Sequence, residues 1–313
     1  MNDNNTSWER EVVTKLAESS LREQRRARRW GIFFKSLTFA YIGAIIYMFG
    51  EASLTAVDLN EKHTAVIELN GVIADKEEAS ADNIITALRD AFENENSAGV
   101  ILRINSPGGS PVQSGYIYDE MLRLREEYPD TPLYAVVTDI CASGGYYIAS
   151  AADKIYADKA SIVGSIGVRM DNFGFVDAIN KLGIERRTLT AGKNKALLDP
   201  FLPENEKTKA HMQVMLTEIH QQFIDSVKKG RGDRLDTSVE GLFSGLIWTG
   251  EAAVTIGLVD ELASSSHVAR EVIGEETIIN YTVKEDVFER FAKRLGSTVA
   301  QVISMEFITP RLK

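Results

Sequence analysis

The chain has 313 residues, 44% of them apolar, and a formal net charge of −10. That is length for one large or two ordinary domains with a substantial core, and the acidic balance excludes a general nucleic-acid binder. A single cysteine, Cys141, excludes an intrachain disulfide. There is no CxxC, no HExxH and no ligand-like spacing among His63, His211, His220 and His267, so no metal and no cofactor is implied.

Residues 1–30 are polar and end in a basic cluster of Arg22, Arg25, Arg26, Arg28 and Arg29. A mostly apolar stretch follows over 31–50, close to the roughly 20 residues that span a bilayer as a helix. Lys35 lies near its basic end, where the amine can reach the interface, and Trp30 and Tyr47 suit the two boundaries. The positive-inside rule places the N-terminus in the cytoplasm and the rest of the chain outside it. A cleaved signal peptide and a core helix are the alternatives, and Gly50-Glu51-Ala52 makes a poor cleavage site. Residues 51–62 form a polar linker.

From residue 64 the pattern alternates. Strands are predicted over 64–73, 99–104 and 133–138, with helices between them over 80–95 and 111–127. Ile84, Ile85, Leu88 and Phe92 form the inward stripe of the first helix; Tyr118, Met121, Leu122 and Leu124 form that of the second. A short helix over 145–152 leads to strands over 154–157 and 161–168, a helix over 173–182 closed by Gly183, and a strand over 184–190. A long helix over 206–229 turns Met212, Met215, Leu216, Ile219, Phe223, Ile224 and Val227 to one face. A short helix over 250–257, strands over 258–262 and 277–283, and an amphipathic helix from about 285 complete the chain. Such alternation reads as βαβ units around a parallel sheet.

Two glycine pairs each follow a buried strand: Ser106-Pro-Gly-Gly109 and Ala142-Ser-Gly-Gly145. Glycines let backbone N–H groups approach a ligand closely, and ligand sites in α/β folds gather at the carboxyl ends of strands. The plain alternatives are two ordinary tight turns and, for Ser143, a helix cap. As a nucleophile Ser143 needs a base. None of the histidines stands in a loop after a strand with an acid beside it, and position 141 is Cys, so the GxSxG elbow is absent. A neutral lysine is the other possible base, and Lys195, followed by Ala196, Leu197 and Leu198, is the best placed because its amine can be partly desolvated there. Cys141 could itself be a thiol nucleophile, but free cysteines are mostly small buried hydrophobes.

The stretches Ile104-Asn-Ser-Pro-Gly-Gly109, Ala142-Ser-Gly-Gly-Tyr-Tyr147, Ile162-Val-Gly-Ser-Ile-Gly167, Ala191-Gly-Lys-Asn-Lys195 and Leu258-Val-Asp-Glu-Leu262 resemble the signal peptide peptidase A family, the membrane-bound serine peptidases of family S49, in their short single-catalytic-domain form. The resemblance covers about 63–262. It implies an α/β fold, a ClpP/crotonase-like spiral of ββα units preceded by one N-terminal transmembrane helix. Its implied divisions are a cytoplasmic segment 1–30, an anchor 31–50, a linker 51–62, a peptidase domain 63–265 and a C-terminal strand and helix 266–313. By the same resemblance Ser143 is the nucleophile, Lys195 the general base, Ser165 the serine that orients the lysine, and Gly109 and Gly144 the oxyanion donors. Asn194 stands where relatives often carry an aromatic residue or His, and Lys193 is an extra lysine in the loop. The implied partners are signal peptides and other extended peptides, with a homo-oligomeric ring in which Ser and Lys come from neighbouring protomers. The implied location is the inner (cytoplasmic) membrane, with the catalytic domain on the extracytoplasmic side. A related S49 subgroup that trims stomatin-like membrane partners, and a crotonase-fold acyl-CoA enzyme, are the alternative functions.

Overall fold

The apolar runs of the middle of the chain become the centre of a mostly parallel sheet. β1 (His63–Asn70), β2 (Ser97–Ser106) and β3 (Leu133–Ala142) lie side by side in register, Val66 against Ile101 and Ile101 against Tyr134. In the computed structural model the described residues are 4–51, 59 and 61–283, with the side chains of 4–11 and 45–51 outside that set. Among them, eight strands form one sheet in the order β6-β5-β3-β2-β1-β8, with β4 pairing both β3 and β7. β4 is Lys154–Ala157, β5 Ile162–Gly164, β6 Ile247–Thr249, β7 Glu261–Leu262 and β8 Ile278–Asn280. Every pairing is parallel except β5 with β6. β3 serves two neighbours along one edge: residues 134–137 pair with β4 and residues 140–142 with β5. The fork carries the chain from the sheet to the site.

α2 (Ala81–Glu93) and α3 (Pro111–Glu127) cover one face of the sheet. Ile84, Leu88 and Phe92 are buried from α2, and Tyr118, Met121 and Leu124 from α3, as the helical spacing predicts; Ile85 and Leu122 are only partly buried. Each such side chain contributes about 1.5–3 kcal/mol by leaving water. α3 starts where it does because Pro111 fills its first turn and the Ser110 hydroxyl accepts the N–H of Gln113. The long helix α6 (Glu206–Arg231) buries Met212, Phe223 and Val227 and leaves the other apolar stripe residues half-buried. On the opposite face Val66, Ile101, Val136 and Tyr156 pack against Val268 and Ala269.

Several expected elements are shorter or absent. The strand expected over 161–168 stops at Gly164, because Gly164 and Ser165 take φ of 108° and 53° and turn the chain out of the sheet. No strand forms over 184–190. From 169 to 211 no residue is buried, and Leu189 is fully exposed, so that stretch has no sheet edge to join. The helix expected over 173–182 is α5 (Val176–Lys181), followed by Gly183 with φ 67°. The strand expected over 258–262 shrinks to two residues, because the Leu258 and Val259 N–H groups return to the Ala253 carbonyl. The helix expected from 285 lies outside the described residues.

The chain divides into two units between Asp58 and Leu59. The first holds α1 (Asn4–Glu51), within which the expected anchor 31–50 falls. Among the described residues no helix is long and apolar enough to cross a membrane. Described side chains of the apolar stretch run from Trp30 to Ala44, interrupted by Lys35 and directly preceded by Arg28 and Arg29.

Candidate active site

β3 ends at Ala142 and α4 (Gly144–Ala149) begins at Gly144, so Ser143 stands alone at the junction. Its backbone takes φ 52° and ψ −121°, a conformation that costs a non-glycine residue on the order of 1–3 kcal/mol. Two hydrogen bonds hold it there. The Ser143 N–H donates to the Gly164 carbonyl at 2.8 Å, and its carbonyl accepts the N–H of Tyr147 at 2.9 Å. The Ser143 side chain occupies the cap position but makes no capping bond, so the cap reading fails at the hydroxyl. That hydroxyl is half-exposed and unengaged among the described residues.

The first glycine pair lies directly against this junction. Gly108 has φ 98°, and a Cβ added there would stand 2.7 Å from the Gly144 nitrogen and 2.8 Å from the Ser143 Cβ. The loop is pinned to Ile73, whose N–H donates to the Gly108 carbonyl at 3.0 Å and whose carbonyl accepts from Ser110 at 2.7 Å. Ser106 supports it from below, accepting the Gly108 N–H at 3.1 Å and donating to the Gly71 carbonyl at 2.6 Å. A Cβ on Gly144 would lie 3.2 Å from the Gly109 nitrogen and 2.5 Å from the Ser114 Oγ. Neither the Gly109 nor the Gly144 N–H makes a hydrogen bond among the described residues. Two free donors beside a free hydroxyl can hold the oxyanion of a tetrahedral acyl intermediate.

Ser165 is brought to the same place from the other side. Gly164 pairs with Ala142 across the sheet, and the Ser165 N–H donates to the Leu246 carbonyl at 2.7 Å. The Trp248 ring lies where a Cβ of Gly164 would be, 2.7 Å away, which leaves room only for glycine. Four of the five expected residues, Ser143, Gly144, Gly109 and Ser165, therefore lie on loops that pack on or hydrogen-bond to one another.

Lys195 is not among them. It lies in an exposed turn and makes no hydrogen bond to any of the four. Within its own chain Lys195 is exposed and Leu198 beside it is exposed too, while Ala196 and Leu197 are half-buried. Lys193 and Asn194, its neighbours, line an open cleft of about 670 Å³ together with Phe173, Val176 and Pro200.

Cys141 points into the core and is fully buried, and burial pushes its thiol far above the ordinary range. It is no nucleophile in this setting. His63 is buried between the Glu61 carbonyl at 2.8 Å and the Tyr281 hydroxyl at 2.9 Å, while His220 faces the Ile166 carbonyl at 3.2 Å. The Leu258 to Leu262 stretch acts as a brace. The Leu258 carbonyl accepts the buried Tyr146 hydroxyl of α4 at 2.8 Å, and Asp260 takes both Arg231 (2.7 and 3.0 Å) and the Ile155 N–H (2.7 Å).

The sequence is 31% identical over 280 residues to the protein of Enterococcus faecium named "Putative signal peptide peptidase SppA", covering 84% of this chain and 80% of that one. Residues 126–277 match the model of peptidase family S49. The chain belongs to peptidase family S49. A second relative, "Putative protease MJ0651" of Methanocaldococcus jannaschii, is 31% identical over 257 residues, 80% of this chain and 81% of that protein. A protein of Brucella abortus named Na(+)/H(+) antiporter NhaA is 44% identical over 189 residues, 60% of this chain. This S49 chain spans only a quarter of that Brucella protein's length, and likewise of its Brucella melitensis counterpart.

Proposed function

We propose that this chain is a membrane-anchored serine endopeptidase that degrades cleaved signal peptides with a Ser143/Lys195 dyad. The observation that carries the reading is the free Ser143 hydroxyl beside the unengaged N–H groups of Gly109 and Gly144. In the proposed reaction neutral Lys195 accepts the Ser143 proton while the Ser143 oxygen bonds to the scissile carbonyl carbon. The oxyanion rests on the Gly109 and Gly144 donors, each worth roughly 3 kcal/mol. Collapse expels the amine, which takes the proton from Lys195, and water then cleaves the acyl ester. Ser165 orients the Lys195 amine.

The position of Lys195 supports a dyad formed between protomers. The stretch from 169 to 211 exposes Phe173, Leu182, Ile184 and Leu189 and buries nothing within its own chain. An apolar segment of that kind is suited to lie on a neighbouring copy and deliver Lys195 to the neighbour's Ser143. The proposed setting is a homo-oligomeric ring of ClpP/crotonase-type domains, a fold supported by the fork of β3. We place it on the extracytoplasmic side of the inner membrane with residues 1–30 in the cytoplasm, on the strength of the arginine cluster ahead of the apolar stretch.

The test is a fluorophosphonate probe on the full chain in detergent or vesicles. It should label Ser143, and both Ser143→Ala and Lys195→Ala should be unlabelled and inactive. Mixing the two inactive variants should restore activity. Full activity in Lys195→Ala would sink the dyad, and no recovery on mixing would place both groups in one protomer.

A further inference from the structure

We infer that His220 is a positioning residue for the Ser143 site: its ring holds the Ile166 carbonyl and so fixes the Gly164–Ser165 turn against Ser143. The inference rests on the serine-peptidase reading above. The turn needs an external hold. Gly164 and Ser165 both have positive φ, 108° and 53°, which a non-glycine residue such as Ser165 adopts only when its surroundings impose it. The same turn supplies the carbonyl that bonds the Ser143 N–H at 2.8 Å, so a shift of the turn moves the nucleophile's own backbone.

Beyond the sheet pairings of Gly164 with Ala142 and Ile247, three hydrogen bonds hold the turn among the described residues. Two are backbone bonds, from Ser143 to Gly164 and from Ser165 to Leu246. The third is His220 Nε2 with the Ile166 carbonyl at 3.2 Å, which is the single side-chain hydrogen bond to residues 164–166 among the described residues. A carbonyl only accepts, so Nε2 must carry the proton. That nitrogen is therefore committed to Ile166 and is no acceptor for the Ser143 proton.

α6 is a fixed frame for this contact. Its residues at three-residue spacing, His220, Phe223 and Ser226, touch three walls of the site in turn. Phe223 stacks on Tyr147 of α4 with ring centres 5.0 Å apart. Ser226 donates to the Tyr147 hydroxyl at 3.1 Å, and its carbonyl accepts the Tyr118 hydroxyl of α3 at 3.0 Å. One helix stripe thus sets the distance between the oxyanion loop's helix, the nucleophile's helix and the Ser165 turn.

The experiment compares His220→Ala and His220→Gln in the full chain; the Gln amide can place an N–H near Nε2. His220→Ala should lower kcat on the order of ten- to a hundredfold with KM unchanged, the size expected when a reacting group is displaced by about 1 Å. His220→Gln should recover kcat to within about threefold of wild type, since it restores the same donor. Amide hydrogen exchange at 165–167 should quicken in His220→Ala and return in His220→Gln. Should the Ala variant not fold, His220→Leu keeps the volume and removes the donor. Unchanged kcat and exchange in the donor-free variant, or no recovery with Gln, would overturn the inference. Absence of any Ser143-dependent activity in the wild type would instead overturn the peptidase reading, and the exchange measurement would still decide the role of His220.

Discussion

The Gly108 α-carbon faces the backbone nitrogen of Gly144 so closely that a methyl group added at position 108 would stand 2.7 Å from it. The two glycine loops are parts of one contact, and the space between them is set by the absence of side chains. Gly108→Ala meets two obstacles, the collision and a φ of 98°. It should push the Gly144 N–H out of line and lower kcat by about 10²–10³, the loss seen when one oxyanion donor is removed. Steady-state kinetics beside a thermal melt checks this. A fully active Gly108→Ala protein would mean that Gly144 is no donor.

Cys141 and Ser143 are two residues apart, yet only one can react. The thiol is fully buried and held in its neutral form by burial, whereas the hydroxyl is half-exposed. Iodoacetamide at about pH 8 should therefore leave the folded protein active and unmodified, and should alkylate Cys141 only in denaturant. Mass spectrometry of the native and denatured samples reads the difference.

The parallel centre of the fold is legible because its signals are local. The runs at 64–73, 99–104 and 133–138 are apolar and short, and Ile84, Leu88 and Phe92 repeat at helical spacing. Ser143 and the two glycine pairs could be singled out for the same reason, since Ser143 follows directly on β3 and both pairs lie within three residues of a strand end; the donor roles of Gly109 and Gly144 rested on the family resemblance. Residues 161–168 misled because Ile162 and Val163 look like a strand that continues, while the Trp248 ring and the Leu246 carbonyl, over eighty positions away, decide that it ends at Gly164. Residues 184–190 misled in the opposite way: their β-like composition has no partner edge. His220 carried no local signal at all. Its significance lies in the Ile166 carbonyl, 54 positions distant in the chain.

Arg231 and Asp260 make the deepest ion pair among the described residues, with no exposed side-chain area on the arginine. Burial alone would raise the Asp260 pKa, but the Arg231 bonds, the Ile155 N–H and nearby Arg234 hold it below the ordinary carboxylate value. Asp260→Asn leaves the guanidinium without its counter-charge and should cost about 3–5 kcal/mol in urea denaturation. Replacing both residues together, Arg231→Met with Asp260→Leu, should cost clearly less. Equal losses in the single and double variants would show that packing, not the stranded charge, sets the cost.

Glu120 couples stability to acid. Its carboxylate accepts from Arg123 at 2.8 and 3.0 Å and from Arg89 at 2.6 Å, joining α2 to α3. The Arg123 bonds, then those of Arg89, lower its pKa from 4.5 to about 2 against the opposing effect of burial. The folded value lies below the unfolded one, so the stabilisation is complete above the unfolded value of 4.5 and is lost as pH falls towards about 2. Both arginines are about half exposed, which limits the effect to roughly 1–2 kcal/mol. Glu120→Gln should therefore be less stable than wild type by that amount near neutral pH, and the gap should narrow as the solution is acidified from about pH 5 to about pH 3. Denaturant titrations of both proteins across that range give the gap directly; one that stays constant would show that the charge on Glu120 contributes nothing.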